Sequence, residues 1–288
     1  MQKIDRLGWA AGVSFTSFGL KVGVRVNSPE LPADVLSCLP PGWRPAGSPY
    51  VDYLLSLRLG GDGPRPGSKS YYLLRAGLRQ VVRTLDRTEA LLALEGEIQR
   101  YVAAHARDRA FIHAGVVAWK GRAIVLPGRT FAGKSTLVRA LLSAGATYYS
   151  DEYAVLDRKG CVHPYPRRLS LRRDATAPDR PQAADLGATT GTQPIPVGLV
   201  VFTEYRPGAP WRPRVLTPAR SLFELAANTM PEVSQSRFGR KALERLAVSA
   251  PAVQGRRGDA AEAAQEILRS AERPRNWKLR WPRFLRAA

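Results

Sequence analysis

Cysteine is scarce in this chain, since Cys38 and Cys161 are the only two among 288 residues. Two thiols are too few for a disulfide framework or for a zinc site built on cysteine, which suits a reducing compartment. Long apolar runs are missing too, because no stretch approaches the roughly 18 apolar residues of a membrane span. Segment 1–15 carries charges and has no continuous apolar core, so we expect no signal peptide. These absences predict a cytoplasmic protein without a transmembrane segment.

Acidic residues are also in short supply. The chain has 24 Asp and Glu residues against 44 Lys and Arg residues, which gives a formal net charge of +20. Such a surplus favours an acidic partner, whether nucleic acid, an acidic peptide or an anionic membrane surface. The positive charges are scattered along the chain, however, as a compositional bias would leave them, and no nucleic-acid-binding module is recognisable. We therefore expect no dedicated binding of nucleic acid.

The first third of the chain has the pattern of a small mixed α+β domain. Alternating apolar residues predict a hairpin, a short helix and then three further strands, at 12–27, 32–39, 50–59, 70–74 and 80–85. We interpret the strands as a small antiparallel sheet. Asp86 and Glu89 form a D-x-x-E capping box that opens a helix over 88–106. Residues 1–106 are therefore expected to be one domain, with a structural or substrate-recognising role.

The most informative stretch runs from the apolar strand 122–126 into a glycine-framed loop. Gly128, Gly133, Lys134 and Ser135 fit G-x-x-x-x-G-K-[ST], the loop whose backbone amides hold nucleotide phosphates. One apolar helix face follows and ends at Gly145. A phosphate-binding loop requires this strand-loop-helix context, whereas a glycine-rich turn that happens to carry a lysine does not. The context favours nucleotide binding.

Each position of the loop has a chemical role in binding a triphosphate. Lys134 supplies positive charge at the β- and γ-phosphates, and Ser135 offers its hydroxyl to Mg²⁺. Backbone amides and the helix N-terminus offset phosphate charge, and Thr136 has a lesser role. We expect ATP and Mg²⁺ as cofactors, with a binding site made by Gly128, Arg129, Thr130, Phe131, Ala132, Gly133, Lys134, Ser135 and Thr136.

An acidic pair follows the next predicted strand, at 146–149. Asp151 and Glu152 stand where carboxylates hold Mg²⁺ or accept a proton from a hydroxyl, although a solvated loop pair would have the same sequence. A strand is also predicted at 111–119, before the loop. After the pair we predict a hairpin (153–156 and 161–165), a basic strand (167–172) and a long polar loop (173–196), which we expect to be mobile and near the site.

The remainder predicts a buried central strand at 197–202, followed by helices. They span 217–227, 232–248 and 259–270, the last opened by a capping box of Asp259 and Glu262. The tail 272–288 is basic and aromatic. It suits either packing of its aromatic rings onto the fold or contact with a membrane surface or nucleic acid.

The spacing of these elements resembles a known family. The shared residues are His113, Gly115, Gly128, Gly133, Lys134, Ser135, Gly145, Asp151 and Glu152. His113 precedes Gly128 by 15 residues and Asp151 follows Lys134 by 17. In this arrangement the chain resembles the catalytic domain of bacterial HPr kinase/phosphorylase and its relatives, including kinases of lasso-peptide precursors. The resemblance covers 108–172 and, more loosely, the chain to 270.

The resemblance implies an α/β fold over 107–271, a P-loop domain of the HPr kinase and phosphoenolpyruvate carboxykinase type. It implies an ATP-dependent kinase that acts on a serine of a peptide or protein. Asp151 would be the general base, Lys134 and His113 would contact the transferred phosphate, and Ser135, Asp151 and Glu152 would hold Mg²⁺. A non-catalytic ATP-binding regulatory module and a small-molecule kinase on the same fold remain alternatives, and a homo-oligomer is left open.

The chain departs from the family pattern in four places. Ala114 separates the histidine from its glycine, Phe131 replaces a small loop residue, and Glu152 replaces a second aspartate. The family's glycine-rich signature segment after the acidic pair is absent, so the resemblance does not imply phosphorylase activity. Its place is taken by 164–172, where Arg167, Arg168 and Arg172 are candidates to bind phosphate charge or an acidic substrate.

Overall fold

The computed structural model describes residues 8–62, 67–128, 132–169, 171–172, 178–179 and 181–272. The described part of the chain is a mixed α/β structure that divides into two compact units after Asp108. None of the helices in these ranges is long and apolar enough to cross a membrane.

The first unit is built on a six-stranded sheet. Its described elements are β1 (Ala11–Ser17), β2 (Leu20–Val26), α1 (Ala33–Ser37), β3 (Arg44–Pro45), β4 (Tyr53–Arg58), β5 (Gly61–Asp62), β6 (Lys69–Ser70), β7 (Tyr72–Ala76), β8 (Arg79–Thr84) and α2 (Arg87–His105). The hairpin predicted at 12–27 is confirmed as β1 and β2, and Phe18 and Gly19 form its turn with φ of 47° and 80°. Two positive φ angles suit the twist of a two-residue hairpin.

The prediction of an antiparallel sheet is wrong at one pairing. The strand order is β3-β1-β2-β4-β7-β8, and β2 runs parallel to β4. A parallel pair cannot be joined by a tight turn, so the chain crosses over through α1 and β3 between these strands. Apolar alternation records which face of a strand is buried and carries no information on strand direction.

A buried carboxylate ties α2 to the sheet of the first unit. Glu97 accepts hydrogen bonds from the Tyr53 hydroxyl on β4, from Arg79 on β8 and from Arg100 at 2.8 Å. Burial raises the pKa of Glu97, but the hydrogen bonds and the arginine charges outweigh burial and hold it below its ordinary value.

The N-terminus of α2 is capped on one side only. The Asp86 carboxylate accepts from the Thr88 amide at 2.8 Å. In a capping box Glu89 would accept from the Asp86 amide. Glu89 instead accepts from the Thr84 hydroxyl.

The second unit contains a larger sheet covered by helices. Its described elements are β9 (Ala110–Trp119), β10 (Arg122–Pro127), α3 (Lys134–Ser143), β11 (Thr147–Ser150), β12 (Tyr153–Leu156), β13 (Cys161–His163), β14 (Leu171–Arg172), β15 (Pro178–Asp179), a 3₁₀ helix (Ala184–Leu186), β16 (Ile195–Tyr205), β17 (Arg214–Val215), α4 (Pro218–Ala227), α5 (Pro231–Gln235), α6 (Arg237–Ser249), β18 (Ala252–Arg257) and α7 (Ala260–Ala271). The strand order is β10-β9-β12-β13-β16-β18-β17, with β11 paired to β9. The strand β10 also pairs with β16, and β10, β16 and β18 run parallel.

Helices cover both faces of this sheet. Helices α3 and α7 pack on one face and α4, α5 and α6 on the other. The predicted central strand 197–202 is confirmed as part of β16, whose side chains alternate between the two layers. Leu199 and Val201 join the α3 and α7 core, while Val200 and Phe202 join the opposite one. Burial on both faces explains the continuous apolar run.

Two predicted elements of the second unit are wrong in extent. The helix expected at 232–248 is two helices, α5 and α6, separated at Ser236, whose hydroxyl accepts from the Gly239 amide at 2.9 Å and caps α6. Of the basic strand expected at 167–172, residues 167–169 are not in a strand and Leu171–Arg172 form β14.

The polar segment expected to be a mobile loop is a packed connection where it is described. Ala183 is 4% exposed and belongs to the core. Tyr148 on β11 donates its amide to the Thr189 carbonyl and accepts from the Gly191 amide, both at 2.8 Å. The strand β18 after α6 was not predicted.

Candidate active site

Two glycines frame the predicted phosphate loop, each for a steric reason of its own. Gly133 has φ of 75° and lies at the N-cap of α3, a left-handed conformation that glycine adopts without strain. At Gly128 an added Cβ would lie 3.2 Å from Ala132 Cβ and 3.3 Å from Lys134 Cγ. The side chain of Lys134 thus runs over Gly128. The three predicted loop residues Arg129, Thr130 and Phe131 lie outside the described residues.

Lys134 is the first residue of α3 and its side chain is buried beside His113. It is 9% exposed, and its Nζ lies 3.3 Å from His113 Nε2. Burial lowers the pKa of Lys134, while the charges of Glu152 and Asp151 oppose that effect. A cation in this setting is desolvated, and an anion arriving beside it would supply compensating charge.

Backbone hydrogen bonds bring His113, the loop and the acidic pair together. The His113 carbonyl accepts from the Gly128 amide at 3.2 Å, and the Glu152 carbonyl accepts from the Ala114 amide at 3.1 Å. On the side chains, His113 Nε2 lies 3.3 Å from Glu152 Oε1. The sequence elements at 113, 128 and 152 therefore converge within one part of the sheet.

Asp151 follows β11 and is buried, at 4% exposure. Its Oδ1 accepts from the Tyr148 hydroxyl at 3.1 Å, and the same hydroxyl lies 2.9 Å from the Arg167 carbonyl. Burial and the charge of Asp151 hold the pKa of Tyr148 far above its ordinary value, so this hydroxyl remains a donor. Tyr148 was missed from sequence because a tyrosine in a buried strand has the pattern of a core residue.

The turn between β11 and β12 fixes the acidic pair. The Ser150 hydroxyl accepts from the Glu152 amide at 3.2 Å and the Tyr153 amide at 3.1 Å. Hydrogen bonds from a serine side chain to the following amides are typical of such turns. The two carboxyl groups consequently leave a rigid turn rather than a solvated loop.

The residues predicted to hold a metal fit Mg²⁺ delivered with a nucleotide. Within the described ranges, no group of three or more His, Cys, Asp or Glu residues could hold a metal ion alone. Magnesium is usually held by one or two carboxylates together with substrate phosphates and water. Asp151 and Glu152 supply two carboxylates, and Ser135 lies partly exposed in the first turn of α3, where Thr136 is exposed.

Close packing against α3 requires a glycine at position 115, two residues after His113. An added Cβ at Gly115 would lie 2.6 Å from Val138 Cγ2, because α3 rests directly on β9 there. Side chains at i and i+2 of a strand share a face, so His113 and Gly115 both point toward the α3 layer. Ile112 and Ala114 belong to the core on the opposite face.

A second residue that sequence reasoning missed is Arg257, at the end of β18. Its side chain is 2% exposed and its Nη2 donates to the Gly133 carbonyl at 2.8 Å. Burial lowers the pKa of Arg257 from its ordinary value. No apolar periodicity marks the strand AVQGRR, so only the pair of basic residues after Gly255 hinted at a role.

Two clefts meet the loop. The larger, of about 950 Å³, lies at the carboxyl ends of β10, β16 and β18 and is lined by Gly128, Ala132, Phe202, Thr203, Glu204, Arg212, Arg214, Glu224, Asn228, Gln254 and Arg256, among others. Ligands of α/β sheets bind at such strand ends. The smaller, of about 570 Å³, is lined by Gly133, Thr136, Tyr205, Pro207, Gly208, Arg257, Gly258, Asp259 and Ala260.

The role of Arg167, Arg168 and Arg172 in binding phosphate or an acidic substrate stays a prediction. Arg167 reaches the Asp151 region through its carbonyl, which accepts from Tyr148, and Arg168 is exposed. The side chain of Arg172 and the tail 273–288 lie outside the described residues.

No protein-family model matches this chain, and a comparison with curated proteins finds no match. Solved structures do match it, among them the HPr(Ser) kinase/phosphatase from Coxiella burnetii. That structure has a TM-score of 0.31 and 13% sequence identity, and the match covers 59% of this chain and 97% of the other. A likeness of this size carries no argument about function, which has to be inferred from the site itself.

Proposed function

We propose that this protein is an ATP-dependent kinase that transfers the γ-phosphate to a serine hydroxyl of a peptide or protein, on a P-loop domain of the HPr kinase type. The observation that supports the proposal is the convergence of Lys134, His113 and Glu152 beside the buried Asp151, at the end of the glycine-framed loop. A module that only senses ATP would also use carboxylates for Mg²⁺, so the feature that favours a kinase is the Tyr148 hydroxyl, which orients Asp151 as a proton acceptor.

In this proposal the loop and Lys134 position the triphosphate. Backbone amides at the N-terminus of α3 and the Lys134 ammonium bind the β- and γ-phosphates. Bound Mg²⁺ would neutralise phosphate charge, and Ser135, Asp151 and Glu152 are the residues that would hold it. Catalysis of phosphate transfer depends mainly on such positioning and charge stabilisation.

Asp151 is the proposed proton acceptor. Tyr148 orients its carboxylate through Oδ1. As the serine oxygen forms its bond to the γ-phosphorus and the bond to the β-phosphate oxygen breaks, the hydroxyl proton passes to Asp151 and ADP leaves. His113, which lies between Lys134 and Glu152, is placed to contact the transferred phosphate.

The larger cleft is the proposed acceptor site. It adjoins the His113 side of the loop, because Asn228 lines it and the Asn228 carbonyl accepts from the His113 amide at 2.9 Å. Three arginines line it, Arg212, Arg214 and Arg256. Arg256 also pairs with Glu204 at 3.4 Å. With Glu204 and Glu224 also in the lining, three positive charges against two negative ones leave a net charge of +1, which favours an acceptor segment that carries negative charge near its serine.

Two substitutions test the proposal, with labelled ATP as donor and peptides encoded beside the gene, acidic serine peptides and small hydroxyl compounds as acceptors. Lys134→Ala should abolish ATP binding and transfer, because it removes the phosphate cation. Asp151→Asn should retain ATP binding and slow transfer by about 10²- to 10⁴-fold, because it removes the proton acceptor. Calorimetry measures binding and mass spectrometry measures the phosphorylated product.

The matched controls are Lys241→Ala and Glu244→Gln, two exposed charges on α6 that should change neither quantity. An undiminished rate in Asp151→Asn would show that another group accepts the proton. ATP binding without transfer to any acceptor of the panel would replace the kinase by a regulatory ATP-binding module. Transfer to small hydroxyl compounds alone would make the protein a small-molecule kinase.

A further inference from the structure

The smaller cleft, which we call the Tyr205 cleft, begins at the loop and leads away from the proposed catalytic groups. It is defined by Gly133, Thr136, Tyr205, Pro207, Gly208, Arg257, Gly258, Asp259 and Ala260. Successive residues of a helix are rotated by about 100°, so Lys134 and Thr136 point to nearly opposite sides of α3. Lys134 reaches His113 on one side, whereas Thr136 lines this cleft on the other.

The position of the cleft decides which end of a nucleotide it could receive. In the proposed function the transferred phosphate lies near Lys134 and Asp151, on the side of α3 from which Lys134 reaches His113. The opposite end of a triphosphate carries the nucleoside, and it has to leave the loop on the Thr136 side. A volume of about 570 Å³ lies within the range of small-molecule sites.

The lining of the cleft has the chemistry of a nucleoside site. The ring of Tyr205 is 56% exposed and lines the cleft, so it is accessible to a ligand there. The Arg257 guanidinium carbon lies 5.5 Å from the centre of that ring, and Arg257 Nη2 donates a hydrogen bond to the Gly133 carbonyl. Arg257 Nε is buried without a hydrogen-bond partner among the described residues. Arginine and tyrosine planes are the surfaces on which bases stack.

A carboxylate in the lining of the cleft suits a sugar. Asp259 caps α7, with its Oδ1 accepting from the Ala261 amide at 2.8 Å and the Glu262 amide at 3.0 Å. The second oxygen, Oδ2, is an acceptor of the kind that binds ribose hydroxyls in dinucleotide sites.

We propose that the Tyr205 cleft binds the nucleoside of the nucleotide whose phosphates occupy the loop, with the base on Tyr205 and the ribose hydroxyls on Asp259. The inference rests on the proposed nucleotide-binding function and does not depend on phosphate transfer. Arg257 then has two roles, because it donates a hydrogen bond to the Gly133 carbonyl of the loop and it lines the cleft.

The test compares two probes, Mg-ATP and Mg-tripolyphosphate, whose difference is the nucleoside. Calorimetry should give wild-type protein a clear preference for ATP. Tyr205→Ala should weaken ATP binding about tenfold or more and leave tripolyphosphate binding unchanged, because only the base loses its stacking surface. Tyr205→Phe should keep the preference. Phe223→Ala, which removes an equally exposed aromatic ring on α4, should alter neither affinity.

A second comparison isolates the ribose contact. Wild-type protein should bind ATP more tightly than 2′,3′-dideoxy-ATP. Asp259→Ser should remove that difference, because serine still caps α7 but is too short to reach the sugar.

The outcomes separate this inference from the proposed function. Equal wild-type affinity for ATP and tripolyphosphate would overturn the nucleoside site and leave the phosphate site standing. An equal loss of both affinities in Tyr205→Ala would show that Tyr205 supports the loop and binds no base. ATP binding with the expected pattern but without transfer would overturn the kinase proposal alone. Binding of neither probe would overturn both.

Discussion

The packing of α3 on β9 makes Gly115 a sensitive position, although it touches no proposed substrate. In Gly115→Ala the new Cβ would meet Val138 Cγ2 at 2.6 Å, whereas carbon atoms in contact prefer about 3.5 to 4.0 Å. Val138 is fully buried, so the strain has to be relieved by moving α3 away from the strand by up to about 1 Å. That movement carries Lys134, one helical turn earlier, away from His113.

Two effects of measurable size follow. Overpacking of this kind should lower the free energy of unfolding by about 1–3 kcal/mol. A displacement of about 1 Å in a catalytic group can slow a reaction by about 100-fold. We therefore expect Gly115→Ala to fold, to unfold at lower urea concentration than wild type, and to transfer phosphate between about 10- and 100-fold more slowly.

A double-mutant cycle with Val138→Ala tests the cause. Val138→Ala alone removes two buried methyl groups and should cost about 2–3 kcal/mol, from about 0.8 kcal/mol per methyl and the cavity left behind. In the double variant the methyl group introduced by Gly115→Ala occupies part of that cavity. The double variant should therefore lose about 1–2 kcal/mol less unfolding free energy than the sum of the two single losses. Transfer should recover in part.

The control is another glycine-to-alanine change. Gly96 is exposed within α2, and an added Cβ would meet nothing within 4 Å. Gly96→Ala should stabilise the protein by about 0.5–1 kcal/mol, because alanine is the better helix former. Strict additivity in the cycle, with unchanged transfer in Gly115→Ala, would refute the assigned contact.

Three further changes test other parts of the molecule. Glu97→Gln should lower the free energy of unfolding by about 1–3 kcal/mol at neutral pH, through lost charged hydrogen bonds. Because folding lowers the pKa of Glu97, this stabilisation is present above its ordinary value of 4.5 and is lost as pH falls through the folded pKa. The unfolding free energies of wild type and Glu97→Gln, measured by urea titration, should therefore become equal in acid. Ser236→Ala should cost about 1 kcal/mol by removing the α6 cap. Arg212→Glu should raise KM for acidic peptide acceptors about tenfold or more and leave ATP affinity unchanged.

Each of these three changes has a control or an outcome that would contradict the expectation. A Glu97→Gln penalty that persisted undiminished at acidic pH would mean that shape rather than charge matters at this position. Ser249→Ala, at the exposed end of α6, is the control for Ser236 and should be nearly neutral. Equal KM changes for acidic and neutral peptides would exclude a charge-reading role for Arg212.

Local patterns predicted the elements that carry the candidate site. The strands β9 and β10, the helix α3 and the strand β16 each have apolar periodicity within their own residues, and each lies where the pattern indicated. The family resemblance implied that His113 and Lys134 lie at one site, and their side chains lie 3.3 Å apart.

Features that depend on distant neighbours left no such pattern. The strand β18 is stabilised by pairing with β16 and β17 on its two sides, so a sequence of two apolar and four polar or glycine residues suffices. Without that strand Arg257 could not be placed beside Gly133. The break at Ser236 was missed because helical segments lie directly on both sides of it, and a single capping serine is its local sign.

The backbone ladder around His113 separates the scaffold of the site from its chemistry. Gly128 and Glu152 are tied to β9 by main-chain hydrogen bonds, which a change of side chain does not remove. Replacing the side chain at 113, which is not among the proposed Mg²⁺ ligands, should thus slow phosphate transfer and leave the backbone frame of the site intact. A slow variant at position 113 would be suitable for crystallising the protein with nucleotide and acceptor bound together.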